Sequence, residues 1–280
     1  MTEHTSPYDT TALTKPATRL RIPQLKQMKV EGRKWAMLTA YDMYSAVIFE
    51  DAGIPVLLVG DSASNNVFGN DSTLAVTVDE LLPLVRAVTR STRRALVIAD
   101  LPFGSYQVSP EQCLQTAVRF MKEAGAHAVK IEGGVELLPH IAKLSVSGIP
   151  VMAHIGFTPQ MEHQLGGYRV QGRGEDGQRL IDSAKALEAA GAFALLIEMV
   201  PGDVGAAITQ AVAIPTVGIG AGNQCDAQVL VWQDMAGLRQ GRLPRFVKQY
   251  ADLRSVLQSA ARDFAEDVQA GTFPGPEHTF

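Results

Sequence analysis

The acids of this chain fall where acids are costly. In "VLLVGDSASNNVFGN" the apolar run from Val56 ends directly in Asp61 and Ser62. The run "ALVIADLPF" ends in Asp100, and "WAMLTAYD" ends in Tyr41 and Asp42. The segment "AVKIEGG" carries Lys130 and Glu132, "PVMAHIG" carries His154, and "ALLIEMVP" carries Glu198. A single Asp at such a place is often the N-cap of a following helix, and that reading stays open for Asp42 and for Asp61 taken alone. Several carboxylates meeting at one rim would repel each other and raise each other's pKa unless a cation held them. With no cysteine pair or paired histidines beside them, the hard oxygen donors point to Mg²⁺, which takes a few carboxylates and keeps waters for a substrate. Asp61 and Asp100, flush with their runs, are the expected direct ligands.

Lys130 and Glu132 are two residues apart, so on a strand they share one side while Val129 and Ile131 take the other. A lysine turned inward is costly unless paired. It is either half of a structural ion pair or a cation that grips an anionic substrate beside the metal, with Glu132 in the metal's surroundings. Glu198 stands among Ile197, Met199 and Val200. Such neighbours would desolvate it and raise its pKa into the range of a general base, unless it is simply a buried acid in an ion pair. His154 reads either as a satisfied core histidine or as an additional catalytic group. The "GIGAG" from Gly218 suggests backbone lying close to a ligand or to another loop.

The elements that must position these residues repeat along the chain. Eight short apolar runs begin at Trp35, Pro55, Ala95, Ala128, Pro150, Ala194, Pro215 and Gln228. They are continuous rather than alternating, as expected of parallel strands buried on both faces. Helical patterns lie between them, such as "VDELLPLVRAVTRST", "SPEQCLQTAVRFMKEAGA" with Ser109 at the N-cap, and "GQRLIDSAKALEAAGA". This order predicts a (β/α)8 barrel, whose active face is the C-terminal ends of the strands. An open doubly wound sheet is the alternative, but no strand-turn-helix carries a GxGxxG loop. Residues 1–21 are expected to be a mobile tail, residues 22–270 one barrel domain opening with a helix over Ile22–Glu31, and residues 271–280 a second tail. An amphipathic helix over Val247–Gln269 is expected to cover the barrel or an interface.

Composition sets the outer limits. Of 280 residues, 46% are hydrophobic and 19% charged, enough for a large core and too apolar for a disordered chain. The net charge of -4 carries no basic footprint for nucleic acid. No apolar run approaches the roughly 18 residues of a membrane span, and the N-terminus lacks a secretory pattern. The two cysteines, Cys113 and Cys225, sit in no metal-ligand or redox spacing and are read as reduced thiols of a cytoplasmic protein.

Taken in chain order, "LLVGDS", "ADLPFGSY", "VKIEGG", "AHIGFTPQ", "GGYRVQGR", "IEMVP" and "VGIGAG" resemble the ketopantoate hydroxymethyltransferase family from about Ile22 to Arg254. The resemblance implies a (β/α)8 barrel of the phosphoenolpyruvate/pyruvate superfamily type. It implies transfer of a one-carbon unit from 5,10-methylenetetrahydrofolate to 3-methyl-2-oxobutanoate (α-ketoisovalerate), giving ketopantoate on the way to pantothenate and coenzyme A. On this resemblance Asp61 and Asp100 match the metal-binding aspartates and Glu132 a third metal-associated acid. Asp61, Ser62, Asp100 and Lys130 match the ketoacid contacts, and Glu198 matches the proton acceptor. One Mg²⁺ per subunit and a decamer of two pentameric rings are implied as well. The chemistry read from the residues agrees, since a 2-oxo acid offers Mg²⁺ a keto and a carboxylate oxygen and the metal would stabilise an enolate. The competing readings are a Mg²⁺-dependent lyase or mutase on a small 2-oxo acid, and a barrel that binds without catalysis.

Overall fold

A computed structural model describes residues 18–280. Eight parallel strands close into a barrel in chain order. They are β1 (Trp35–Thr39), β2 (Val56–Val59), β3 (Leu96–Asp100), β4 (Ala128–Glu132), β5 (Val151–Gly156), β6 (Ala194–Glu198), β7 (Thr216–Ile219) and β8 (Ala227–Leu230). Seven strands lie within their apolar runs, β8 starts one residue ahead of its run, and β8 pairs back onto β1. The open doubly wound sheet is therefore ruled out.

The pleat sorts side chains into two layers. Met37, Leu58, Ile98, Ala128, Met152 and Leu196 pack together inside the barrel. Leu57, Val97, Val129, Ile131, Ala153 and Ile197 pack outward, under the helices. Val129 and Ile131 thus face out as expected, which turns Lys130 and Glu132 in. The helix Ile22–Val30 contributes fully buried Leu25 to the inner layer beside Trp35 and Met37. Trp35 opens β1, so this helix seals the N-terminal end of the barrel, away from the acids.

The helices start where their sequences say they should. Asp42 caps Met43–Asp51, its Oδ1 accepting from Ser45 N–H at 2.9 Å. Thr77 and Glu80 form a capping box on Val78–Ser91, and Ser109 caps Pro110–Glu123. Asp42 is therefore a helix cap, the bland alternative.

Two expectations are corrected. The segment just before Ile22 is not all mobile tail: Arg19 Nη1 donates to the Ala95 carbonyl at 2.7 Å and Leu20 N–H to the Arg94 carbonyl at 2.8 Å. Residues 1–17 of that tail lie outside the described residues. The terminal helix spans Leu253–Ala270, shorter than expected, and none of its residues is buried, so it does not cover its own barrel. Its apolar side chains, including Val256 and Phe264, face outward at 62% and 57% exposure. The spacing established that the helix has an apolar face, and could not say what covers it. The last residues fold back on this helix, with the rings of Phe264 and Phe273 5.5 Å apart. Cys113 and Cys225 are buried free thiols, and burial pushes the Cys113 thiol up to about 12. No helix among the described residues is long and apolar enough to cross a membrane.

Candidate active site

The strand ends surround a cavity of about 270 Å³ at the C-terminal mouth of the barrel. Asp61, Ser62, Asp100, Lys130, Glu132, His154 and Glu198 all line it. Each site residue expected from the sequence is therefore brought to one place. β2 and the turn after it deliver Asp61 and Ser62, β3 delivers Asp100, β4 Lys130 and Glu132, β5 His154, and β6 Glu198.

Strand register sets the pairings. Asp100 lies beside Lys130, and Glu132 beside His154. Lys130 is 3% exposed and makes ion pairs with Asp100 Oδ1 at 2.8 Å and Glu132 Oε1 at 3.2 Å. Its Nζ also lies 3.3 Å from His154 Nδ1. Burial alone would depress this ammonium, but the charges of Asp100, Glu132 and Asp61 outweigh it and hold the pKa above the usual lysine range. Asp61 N–H donates to Asp100 Oδ2 at 2.9 Å, which draws the two aspartates together. Ser62 Oγ stands 2.7 Å from the Tyr41 hydroxyl.

The acids differ in their surroundings. Burial, then the charges of Glu132 and Asp100, raise the Asp61 pKa well above the carboxylate range. Burial raises Asp100 too, although Lys130 opposes it. Burial also works against a charge on Glu132, but Lys130 foremost, with His154 and the Gln160 N–H, brings it down to about 2. Glu198 is pushed up to about 8 by burial first and the charge of Glu132 second. His154 is lowered by burial and by Lys130, so it is neutral at pH 7. Its Nε2 faces Glu198 Oε2 at 3.5 Å.

Two backbone features fix Glu198. Phe157 N–H donates to the Glu198 carbonyl at 2.8 Å. That approach needs Gly156, since a Cβ there would stand 2.2 Å from the same oxygen. Met199, next to Glu198, has φ 47°, a left-handed conformation that costs a non-glycine residue on the order of 1 kcal/mol. The GIGAG glycines make room for other loops, a Cβ on Gly222 meeting Gly202 at 2.9 Å. Of the two readings of that motif, the structure displays the close approach of another loop.

The donor set fits a divalent cation. Three carboxylates, Asp61, Asp100 and Glu132, face one ammonium, so full ionisation would leave an excess of two negative charges in a buried site. A divalent cation beside Asp61 and Asp100 would offset that excess. Among the described residues no group of three or more His, Cys, Asp or Glu is arranged to hold a metal alone. Asp61 and Asp100 together could hold a hard divalent cation such as Mg²⁺. Both Glu132 oxygens already have protein partners, Oε1 with Lys130 and His154, and Oε2 with Gln160 N–H at 3.0 Å.

Sequence reasoning missed several residues here. Tyr168, Asp234, Arg239 and Phe246 line the mouth of the same cavity. Gln160 and Tyr106 stand behind its wall, hydrogen-bonded to the acids. Both sit just past strand ends, in "AHIGFTPQ" and "ADLPFGSY", and that position was the available signal.

Comparison with known proteins gives the family and the fold. The sequence model described as ketopantoate hydroxymethyltransferase matches residues 19–276. The chain is 69% identical over 265 residues to the 3-methyl-2-oxobutanoate hydroxymethyltransferase of a Nocardioides species, covering 95% of this chain and 90% of that one. It is 64% identical to the enzyme of the same name from an Arthrobacter species, covering 98% and 91%. Among solved structures, phosphonopyruvate hydrolase in complex with oxalate and Mg²⁺ superimposes with a TM-score of 0.59 at 16% identity, covering 92% of each chain. The 2,3-dimethylmalate lyase of the PEP mutase/isocitrate lyase superfamily gives 0.55 at 16% identity, covering 91% and 89%. These two likenesses are of fold.

Proposed function

The chain belongs to the ketopantoate hydroxymethyltransferase family, and from that premise we propose that it forms ketopantoate by adding a hydroxymethyl group to 3-methyl-2-oxobutanoate. The observation that carries this reading is a raised carboxylate, Glu198, in one cavity with two aspartates and a buried ammonium. The one-carbon donor is 5,10-methylenetetrahydrofolate and the metal is Mg²⁺, one per subunit.

Asp61 and Asp100 would hold the metal, and Glu132 would stand beside it, tied back by Lys130 and Gln160. Bound Mg²⁺ supplies Lewis-acid polarisation of the keto oxygen. Lys130 balances the substrate carboxylate, and the Ser62 hydroxyl hydrogen-bonds to it. Glu198 takes the C3 proton. Its apolar surroundings keep it basic, whereas Lys130 makes Glu132 a poor base. Neutral His154 faces Glu198 from the next strand and is the additional candidate for handling that proton. Water adds to the donor's methylene carbon as its two C–N bonds break, leaving tetrahydrofolate with N–H groups and a one-carbon unit at the formaldehyde level. The C3 carbanion bonds to that carbon past Tyr168 and Phe246, the carbonyl electron pair moves to oxygen, and the proton taken by Glu198 completes the hydroxymethyl group.

The homo-oligomer, two five-membered rings, belongs to the same proposal. It is supported by the uncovered apolar face of Leu253–Ala270 and is checked by light scattering on the purified chain. A cytoplasmic location goes with the two free thiols.

The deciding experiment is turnover of 3-methyl-2-oxobutanoate with methylenetetrahydrofolate, with and without Mg²⁺. Beside it, C3 hydrogen exchange in D₂O is followed by NMR without folate. Folate-dependent product and Mg²⁺-dependent exchange are expected, with exchange lost in Glu198→Gln. Cleavage of a 2-oxo acid without folate would favour the lyase or mutase reading.

A further inference from the structure

Gln160 is 5% exposed, in the short turn Pro159–Met161 after β5. It does not line the cavity, yet it touches two of the acids that do. Its Nε2 donates to Asp61 Oδ2 at 2.9 Å and to the Leu101 carbonyl at 3.0 Å. The Leu101 carbonyl only accepts, so the amide orientation is fixed and Oε1 must face donors. It does: the Tyr106 hydroxyl lies 2.7 Å away and Gln107 Nε2 3.2 Å away. The Tyr106 proton therefore points at Gln160, and its oxygen is free to accept from Glu132 N–H at 3.1 Å. The Gln160 N–H closes the circuit on Glu132 Oε2 at 3.0 Å. The result is a directed chain, from Glu132 N–H to the Tyr106 hydroxyl to the Gln160 amide to Asp61, with no uncommitted donor or acceptor at its centre.

We propose that Gln160, oriented by Tyr106, is the positioning residue of the metal site: it holds Asp61 by Oδ2 so that Oδ1 is the oxygen presented to the cavity. The inference rests on the reading of Asp61 as a metal ligand and deepens it. An Asp free to turn about its terminal bond would share its two oxygens between orientations, and the ready-made geometry would be lost. Groups that orient a metal ligand through a hydrogen bond typically alter metal affinity by about 10–100-fold when removed. A buried amide that served only to satisfy the loop would alter folding stability and leave that affinity alone.

The test is calorimetric titration of Mg²⁺ in the presence of 3-methyl-2-oxobutanoate, with thermal unfolding measured in parallel. Gln160→Met keeps length and backbone N–H and removes both polar ends. It is expected to weaken Mg²⁺ binding about 10–100-fold and to raise KM for the ketoacid by more than it lowers kcat. Because Gln160 acts through Asp61, the double variant with Asp61→Asn should bind no more weakly than Asp61→Asn alone. Tyr106→Phe leaves the Gln160–Asp61 contact and removes only its orienting partner. It should weaken binding by a smaller factor, and it carries the test if Gln160→Met fails to fold. Wild-type Mg²⁺ affinity in folded Gln160→Met, or in Tyr106→Phe when that variant carries the test, overturns the inference. So do additive effects in the double variant. Absence of Mg²⁺ binding by the wild type would sink the metal reading and this inference together; wild-type binding with an unmoved Gln160→Met sinks this one alone.

Discussion

Glu198 should cost the protein stability in the same pH range where it becomes useful. In the unfolded chain its carboxyl ionises near 4.5, and in the folded chain burial holds the proton until about 8. Between those values the native state binds the extra proton, so stability falls as pH rises. The penalty is absent below pH 4.5 and complete above pH 8. At 1.36 kcal/mol per pH unit it reaches about 5 kcal/mol as an upper figure, against a typical total of about 5–15 kcal/mol. Glu198→Gln removes the titration and keeps the shape. Its stability relative to wild type should therefore grow from pH 5 to pH 8 by about 2–4 kcal/mol, while kcat falls by about 10²–10⁴-fold. Urea unfolding of both proteins at the two pH values, at one protein concentration, measures the change. Any fixed cost of the amide cancels in the comparison. A stability difference that does not move between pH 5 and pH 8 would show that Glu198 is not desolvated, and the argument for its basicity would fall with it.

Three further outcomes follow from the geometry. Lys130→Met leaves Asp100 and Glu132 buried without their cation. It should destabilise the protein by about 3–5 kcal/mol at pH 7, less at pH 5 where the acids can protonate, and raise the ketoacid KM more than the folate KM; a pH-independent loss in urea melts would count against it. Asp61→Asn and Asp100→Asn should weaken Mg²⁺ and ketoacid binding together, because the acid chelates the metal, and calorimetry showing ketoacid affinity unchanged would refute the shared site. Gly156→Ala drives a Cβ into the Glu198 carbonyl, so it should lower kcat well beyond any effect on Mg²⁺ affinity, as measured by steady-state kinetics beside calorimetry.

How much of this was legible varied with the kind of signal. The eight strands were plain because parallel strands are buried on both faces, and continuous apolar runs are hard to place elsewhere. Lys130 and Glu132 were assigned to the interior by their two-residue spacing alone, which the pleat enforces. Asp42 and Asp61 look alike in sequence, each an acid ending an apolar run. They part because a helix begins immediately after Asp42 and takes its carboxylate as a cap, while Asp61 is drawn against Asp100 and Gln160. Gln160 itself offered only its place just past a strand end: a neutral amide in a turn has no pattern of its own. Its partners lie on the loops of other strands, Asp61 being 99 residues away. The terminal helix left barrel or interface open for a related reason, since periodicity records that a face is apolar and is silent on what meets it.

The pairing of β8 with β1 also bears on how the chain is made. β2 covers one edge of β1 early, but on the other edge residues 35–38 find their partners only at residues 227–230. At about 5–20 residues per second, on the order of 10–40 s of synthesis separates the two strands. Throughout that interval the emerging sheet has two unpaired edges, each a template for a strand from another chain. A polypeptide that stalls on the ribosome before Ala227 keeps both edges open, because no later strand exists to join them. Such fragments are the expected seeds of aggregation for this protein and the natural clients of chaperones, even though the finished ring has no edge to offer.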